Sequence, residues 1–240
     1  MANANWRGTV GMIKPTRGSG SLEELIRMLP EGIGVIPLFN NIRHGRIEEF
    51  RSAIPLYEEK IAELAEDRVD FIQAAGTPPF MLLGYRGEQE LVEKWEKRFK
   101  IPISTSGRSQ IEGMRALKIK KFVGAGYDFE DTSIVARYFT DAGFKVLALE
   151  KLPGPWEEIG KLSSREVYAQ IKKAFLKHPD AEGIYFQGGK LRILDIIEML
   201  EQDLGVPVLH PGVAQAWEIM KRLRVREPKS GYGRLLAELP

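Results

Sequence analysis

Cysteine is absent from the 240-residue chain. This absence excludes disulfide bonds, cysteine-ligated zinc and thiol nucleophiles by composition alone. Histidine is scarce as well, and no two of His44, His178 and His210 have the spacing of metal ligands on a shared element. We therefore expect a protein without a metal site, whose chemistry does not depend on sulfur.

Charge of one sign and long apolar runs are also missing. The formal net charge is +2 and 28% of the residues are charged, so the chain has neither a basic stripe typical of nucleic-acid binding nor an acidic tail. No apolar run reaches the length of a transmembrane helix, and no secretory leader is recognisable. We expect a globular, cytoplasmic protein without nucleic-acid or membrane partners, either a monomer or a homo-oligomer.

The common phosphate and nucleophile motifs are absent too, because the chain has no Walker lysine motif, no G-x-G-x-x-G after its first strand and no G-x-S-x-G. It does have an apolar run at 183–186 that ends in Gln187, Gly188 and Gly189 ahead of a helical pattern. Such a run is typical of a buried strand, and free N–H groups at the end of such a strand bind anions in open α/β sheets. A tight turn without a ligand is an equally good interpretation of this stretch alone.

A second copy of this pattern lies in the first half of the chain. Residues 70–79 form a strand that ends at a small-residue turn around Gly76. The helical and strand patterns that follow it at 90–110 correspond to those at 196–215. A repeat of about half the chain is too long for a solenoid and predicts two duplicated halves, in which Gly76 and Gln187 flank one cleft.

Strands and helices alternate along the chain, which predicts parallel sheets covered by helices on both faces. We therefore predict an α/β fold of two halves, the first made of residues 1–115 and 216–240 and the second of residues 116–215. Apolar residues spaced three or four apart over 46–68 predict one long amphipathic helix whose apolar face belongs to the core.

Polar side chains follow several of the predicted strands. Lys14 and Pro15 end the first strand and are candidates for the site, and Asn40 ends the second, where its amide could contact a polar substrate or form a turn. His210 ends a later strand, from which it could reach the cleft or serve a structural role. Lys190 begins the helix after the glycine pair, so it could bind an anion or point to solvent.

Several short fragments occur in one order along nearly the whole chain. They are residues 11–15, 76–77, 85–87, 113–117, Tyr127, 183–189, 204–208 and 231–235. On these fragments the chain resembles the aspartate/glutamate racemase superfamily, and within it arylmalonate decarboxylase most closely, with maleate isomerase next.

This resemblance implies two pseudo-symmetric, Rossmann-like halves with the active site between them and no cofactor or metal. Racemases and isomerases of the superfamily use two cysteines, one from each half, whereas the decarboxylase has Gly-Thr in the first half and keeps one cysteine in the second. Gly76 and Thr77 match the decarboxylase pattern. Thr77 and Tyr127 match the hydroxyls that, with backbone N–H groups, hold one substrate carboxylate, and Pro15 matches a residue lining the same site.

Two positions depart from the decarboxylase pattern. Gln187 stands where the remaining cysteine is expected, and Pro78 stands where the decarboxylase has serine, so a hydroxyl and a backbone donor are missing there. Glutamine cannot supply a proton near neutral pH, although its amide could bind a carboxylate oxygen. The first departure argues against two-base racemisation and against isomerisation by thiol addition.

The sequence thus predicts a cofactor-free decarboxylase of a malonate-type or other small carboxylic acid, which holds an enediolate with hydrogen-bond donors. The alternatives are isomerisation or hydration by lysine or histidine chemistry, and a non-catalytic carboxylate binder. The proton donor could be Lys14, Lys190, His210 or water. The predicted catalytic residues are Thr77, Tyr127, Gln187, Gly188, Lys14 and His210; the predicted substrate-binding residues are Pro15, Gly76, Pro78, Gly189, Lys190 and Asn40; the predicted apolar wall is Phe80, Phe186 and Leu38.

Overall fold

Two separate sheets, each of four parallel strands, form the centre of the protein. The structure is a computed structural model that describes residues 5–18, 20–127, 131 and 133–240. The strands of the first sheet are β1 Gly8–Lys14, β2 Ile33–Phe39, β3 Phe71–Ala74 and β4 Ile103–Thr105. The strands of the second sheet are β5 Lys121–Gly126, β6 Lys145–Lys151, β7 Gly183–Gln187 and β8 Val208–Leu209.

The two sheets have the same topology. The first has the strand order β2-β1-β3-β4 and the second β6-β5-β7-β8, and all pairs are parallel. Strand β1 therefore corresponds to β5, and β3 corresponds to β7. The predicted α/β fold of two similar halves is confirmed.

Helices connect the parallel strands, because a crossover between parallel strands needs a long connection. In the first part of the chain they are α1 Ser21–Met28, α2 Ile47–Arg51, α3 Ala53–Glu66, α4 Thr77–Met81, α5 Gly84–Phe99 and α6 Ser106–Ala116. In the second part they are α7 Ser133–Asp141, α8 Ser164–Leu176, α9 Leu194–Leu204, α10 Pro211–Arg222 and α11 Arg234–Glu238.

The prediction of one continuous helix over 46–68 is wrong. The segment forms two helices, α2 and α3, which are separated at Ser52. Pro55 lies in the first turn of α3, and it has no N–H to bond the carbonyl of Arg51 and crowds that carbonyl. The apolar spacing still holds within α3, where Tyr57 and Leu64 are fully buried.

The central strands of both sheets are buried along most of their length, whereas the edge strands β2 and β6 are partly exposed. In the second half, the rings of Phe122, Phe139 and Tyr185 pack edge to face with centroid distances of 4.7 to 5.5 Å. Such aromatic pairs stabilise the fold beyond the contribution of their buried apolar surface. Polar residues at the ends of central strands, such as Lys14 and Gln187, are therefore enclosed by protein.

The halves are joined through their helices. Helix α10, which begins at Pro211, packs against α1 and α6, and α5 packs against α7. The predicted boundaries between the halves, at residues 115/116 and 215/216, stay a prediction. Within the described ranges, no helix combines the length and apolar character needed to cross a bilayer.

Candidate active site

A cavity of about 70 Å³ lies where the carboxyl ends of the central strands of both sheets meet. This volume is several times what one water molecule needs and suits a small organic acid. The predicted residues that line it are Lys14, Pro15, Gly76, Thr77, Pro78, Tyr127, Gly188, Gly189 and Lys190. No aspartate, glutamate or histidine lines it among the residues that the structure describes, and those residues contain no cluster suited to a metal ion.

The turn after β3 is fixed by contacts that only glycine permits. Gly76 has φ +103°, and a Cβ there would lie 2.7 Å from the Tyr57 hydroxyl oxygen and 2.9 Å from Pro15 Cγ. The Gly76 N–H donates to Ser106 Oγ at 2.9 Å, and the Tyr57 hydroxyl donates to the Ala75 carbonyl. The N–H of this glycine is therefore used inside the protein and is not available to a ligand.

Thr77 follows at the start of α4 and presents its hydroxyl to the cavity. Its Oγ1 accepts the Gln110 amide Nε2 at 2.9 Å, so the hydroxyl proton is left to donate. The Gln110 Oε1 in turn accepts from the Tyr185 hydroxyl at 2.7 Å. Thr77 is thereby oriented as a donor by a buried chain of hydrogen bonds that reaches into the second half.

The turn after β7 is the counterpart in the second half. Gly188 has φ +113°, and a Cβ there would lie 2.7 Å from Tyr127 Cε1, so glycine lets the tyrosine ring approach the turn. The N–H groups of Gly188 and Gly189 donate to no acceptor among the described residues. Both residues line the cavity, so these two N–H groups are suited to bind an anion.

Tyr127 contributes a neutral hydroxyl and part of an apolar wall. Burial raises its pKa above the usual value, so the phenol keeps its proton. Its ring lies edge-on to Trp156 with a centroid distance of 6.4 Å, and Trp156 meets Phe50 in the same way at 6.4 Å. Phe50 and Trp156 both line the cavity.

Two lysines line the cavity. Lys14 is buried, and desolvation lowers its pKa to about 8, opposed by the carboxylates of Glu23 and Glu24. Lys190 lies with Nζ 3.5 Å from the centroid of the Trp156 ring, a cation–π contact. Partial burial lowers the pKa of Lys190. The cavity therefore carries positive charge with no carboxylate among its described lining residues to neutralise it.

His210 does not line the cavity. Its Nδ1 accepts the Gly212 N–H at 3.2 Å and thereby caps the start of α10. Because Nδ1 accepts, Nε2 carries the proton and donates to the Leu191 carbonyl at 3.2 Å. Full burial lowers the pKa of this ring to about 4, so the ring is neutral near pH 7 and both of its nitrogens serve the backbone.

Gln187 and Asn40 also lie outside the cavity. The Gln187 side-chain amide contacts the Tyr185 hydroxyl, whose one proton goes to Gln110, and it borders a second, smaller cavity that Tyr127 also lines. Asn40 is buried, and its backbone N–H donates to the Lys14 carbonyl at 2.7 Å. Of the residues predicted for the apolar wall, none lines the cavity; they are Phe80, Phe186 and Leu38.

Nine lining residues were not predicted, among them Ser106, Gln215, Phe50 and Trp156. A signal existed for the first two, because the repeat aligns residues 101–110 with 206–215, and each of these segments runs from a strand end into the next helix. Phe50 has the spacing of a core residue, and Trp156 lies in a connection rich in proline and glycine. Nothing in their local sequence indicates that they meet.

The class of this protein is defined by two similar parallel α/β halves that enclose one cavity, which is lined by lysines and by strand-end glycine turns. Residues 38–236 match the arylmalonate decarboxylase family, and the chain belongs to that family.

Individual relatives agree with this assignment. The chain is 24% identical to arylmalonate decarboxylase from Bordetella bronchiseptica over 78% of this chain and 82% of that protein. It is 25% identical to maleate isomerase from Geobacillus stearothermophilus over 95% of this chain and 96% of that protein. The crystal structure of the maleate isomerase Iso from Pseudomonas putida S16 has the same fold, with a TM-score of 0.89, 22% identity and coverage of 97% of this chain and 99% of that one. The relatives named here are thus enzymes of two reaction types.

Proposed function

We propose that the protein is a cofactor-free decarboxylase that releases CO₂ from a malonate-type acid. One observation carries the proposal: the ends of β1, β3, β5 and β7 bring to one cavity a buried lysine, two hydroxyls and two N–H groups that meet no acceptor among the described residues. A site of this kind binds a small carboxylate and can stabilise additional negative charge on it.

The carboxylate that stays on the substrate is the group the donors would hold. As the carbon–carbon bond breaks, its electron pair moves onto that carboxylate and forms an enediolate. The donors are the hydroxyls of Thr77 and Tyr127 and the N–H groups of Gly188 and Gly189. In related oxyanion sites each such donor stabilises the transition state by roughly 2.7–4 kcal/mol.

The carboxylate that leaves would face the apolar wall of Phe50, Trp156 and Pro78. Contact with apolar side chains removes water from this charge, and the charge disappears when neutral CO₂ departs. The apolar wall therefore disfavours the bound carboxylate relative to CO₂ and promotes cleavage of the carbon–carbon bond.

Lys14 is the proton donor in this proposal. With its pKa lowered to about 8, it is mostly an ammonium near pH 7 and can still give up a proton readily. The enediolate carbon takes that proton, and the neutral amine then regains one from water. His210 is a poor alternative because both ring nitrogens are bonded to the backbone.

The test is CO₂ release from a panel of substituted malonates, measured with the unaltered protein and with Lys14→Met. We expect turnover by the unaltered protein and its loss in the variant. No turnover by the unaltered protein across a broad panel would contradict the proposal.

The unaltered protein and Lys14→Met also distinguish decarboxylation from isomerisation or hydration and from simple carboxylate binding. Hydrogen–deuterium exchange at the substrate carbon without CO₂ loss would favour lysine-based isomerisation or hydration. Stabilisation against heat by a carboxylate, with no turnover and no effect of Lys14→Met, would favour a binding protein.

A further inference from the structure

Ser106 is the first residue of α6, and it is buried against the cavity that it lines. Its Oγ accepts two hydrogen bonds, from the Gly76 N–H at 2.9 Å and from the Gln215 amide Nε2 at 2.7 Å. A serine hydroxyl has two acceptor positions and one proton. Both acceptor positions are therefore occupied, and no acceptor among the described residues takes the proton.

We propose that Ser106 is a further substrate-binding donor, which directs its hydroxyl proton to a carboxylate of a small dicarboxylic acid, and that Gln215 is its positioning residue. This inference rests on the proposed function for the nature of the substrate. Neither residue belongs to the set predicted from the sequence.

The duplication of the fold provides an independent reason for this role. Gln110 is the fifth residue of α6 and Gln215 is the fifth residue of α10, so they occupy equivalent positions in the two halves. Each donates its amide Nε2 to a hydroxyl that lines the cavity, Gln110 to Thr77 at 2.9 Å and Gln215 to Ser106 at 2.7 Å. In both halves a glutamine amide donates to a hydroxyl oxygen and thereby leaves the hydroxyl proton for the cavity.

Ser106 also supplies a hydrogen-bond donor close to Pro78, which has none. Pro78 lines the same cavity and offers neither a hydroxyl nor a backbone N–H. Ser106 is held to the turn that precedes Pro78 by its bond with Gly76. Its position at the start of an eleven-residue helix further favours an anion there, because the helix dipole is positive at that end.

The test is binding of succinate, measured by calorimetry on the full chain. Succinate is a dicarboxylate without a carboxyl group placed to leave as CO₂. Ser106→Ala should weaken succinate binding roughly 10- to 100-fold, the effect of removing a hydrogen bond to a charged group. The matched control is Ser109→Ala, a buried serine on the same helix that bonds Gln73 and the Thr105 carbonyl and does not line the cavity. The control should change binding less than twofold.

Gln215→Met tests the positioning role and leaves the bond between Gly76 and Ser106 in place. We expect weaker succinate binding in the otherwise unaltered protein and no additional loss when Ser106→Ala is already present. An equal loss in both backgrounds would overturn the positioning role. This variant also keeps the proposal testable if Ser106→Ala lowers the unfolding temperature too far for calorimetry.

The outcomes separate this inference from the proposed function. Unchanged succinate binding by Ser106→Ala overturns the inference, even if the protein decarboxylates malonates. Weakened binding without any malonate turnover by the unaltered protein supports Ser106 as a donor and counts against decarboxylation. Absence of succinate binding by the unaltered protein overturns the inference outright.

Discussion

The turns after β3 and β7 occupy equivalent positions in the two halves but contribute different groups to the cavity. Both contain a glycine with positive φ, Gly76 at +103° and Gly188 at +113°. After Gly76 a helix begins at once with Thr77 and two prolines, and the Gly76 N–H donates to Ser106 Oγ. After Gly188 the next helix begins only at Leu194, and the N–H groups of Gly188 and Gly189 meet no acceptor in the described part of the chain.

The difference assigns a separate role to each half. The first half supplies hydroxyls that glutamine amides orient, and the second half supplies backbone N–H groups and the Tyr127 phenol. A duplicated fold therefore need not carry a duplicated site. The following predictions test this division, beginning with Lys14, for which the largest effect is expected.

Lys14→Met should have the largest effect on turnover, because it removes the proposed proton donor. Loss of a general acid typically lowers kcat roughly 100- to 10,000-fold. The control is Lys190→Met, whose Nζ rests on the Trp156 ring and which should lower kcat less than tenfold. Measured kcat values for the two variants that fall in the opposite order would assign the proton to Lys190.

The same change should stabilise the fold. Burial lowers the pKa of Lys14 from 10.5 to about 8, so below pH 8 the charged side chain costs the native state about 3 kcal/mol. This cost disappears as pH rises from 8 to 10.5, where the lysine is neutral in both states. We expect Lys14→Met to unfold at a higher temperature than the parent at pH 7, with a smaller difference above pH 10. A lower unfolding temperature at pH 7 would contradict this account.

Gly188→Ala should be the next most damaging change, because its Cβ would lie 2.7 Å from Tyr127 Cε1 at a backbone conformation that alanine disfavours. Displacing the tyrosine and the free N–H groups together should lower kcat/KM at least about 100-fold. Gly189→Ala is a matched control, since nothing lies within 4 Å of its Cβ. Similar losses in the two variants would show that the turn tolerates no side chain at all, and would remove the special role of Tyr127.

The predictable part of this molecule is the part that repeats. The strand patterns before Gly76 and Gly188 indicate equivalent turns, and from them the halves, the parallel sheets and half of the cavity lining can be inferred. Ser106 and Gln215 could not be paired from the sequence, because their contact joins helices from different halves. Helix breaking at Pro55 was a local signal, but the apolar period across it obscured the break.

His210 shows a different limit. Its position at a strand end is compatible with access to the cleft and with a structural role, and its backbone neighbours decide between the two. The Gly212 N–H and the Leu191 carbonyl both require a partner, and the ring satisfies both. A strand-end histidine can therefore reach a ligand only where the adjacent helix start and loop do not need its nitrogens, a condition that depends on three-dimensional structure.

Thr77→Val compares the oriented hydroxyl of the first half with the N–H groups of the second. Valine keeps the shape of threonine but cannot donate, so kcat should fall roughly 100-fold or somewhat more. The residual activity should come from Tyr127 and the N–H groups of Gly188 and Gly189. Unchanged kcat would mean that the Thr77 hydroxyl does not help to hold the enediolate.

The smallest effect on turnover is expected for His210→Asn, which replaces one helix cap by another. Turnover per folded molecule should be unchanged, because the ring does not line the cavity.

The His210→Asn variant should instead alter the dependence of stability on pH. Burial lowers the pKa of His210 from 6.5 to about 4. Between these pH values the histidine is protonated in the unfolded chain and neutral in the native state. The parent should therefore lose about 3 kcal/mol of stability from this group as pH falls from 6.5 to 4. His210→Asn removes this component, and urea unfolding of both proteins between pH 7 and 4 measures it. Parallel stability curves for the two proteins would show that burial does not keep the ring neutral in the native state.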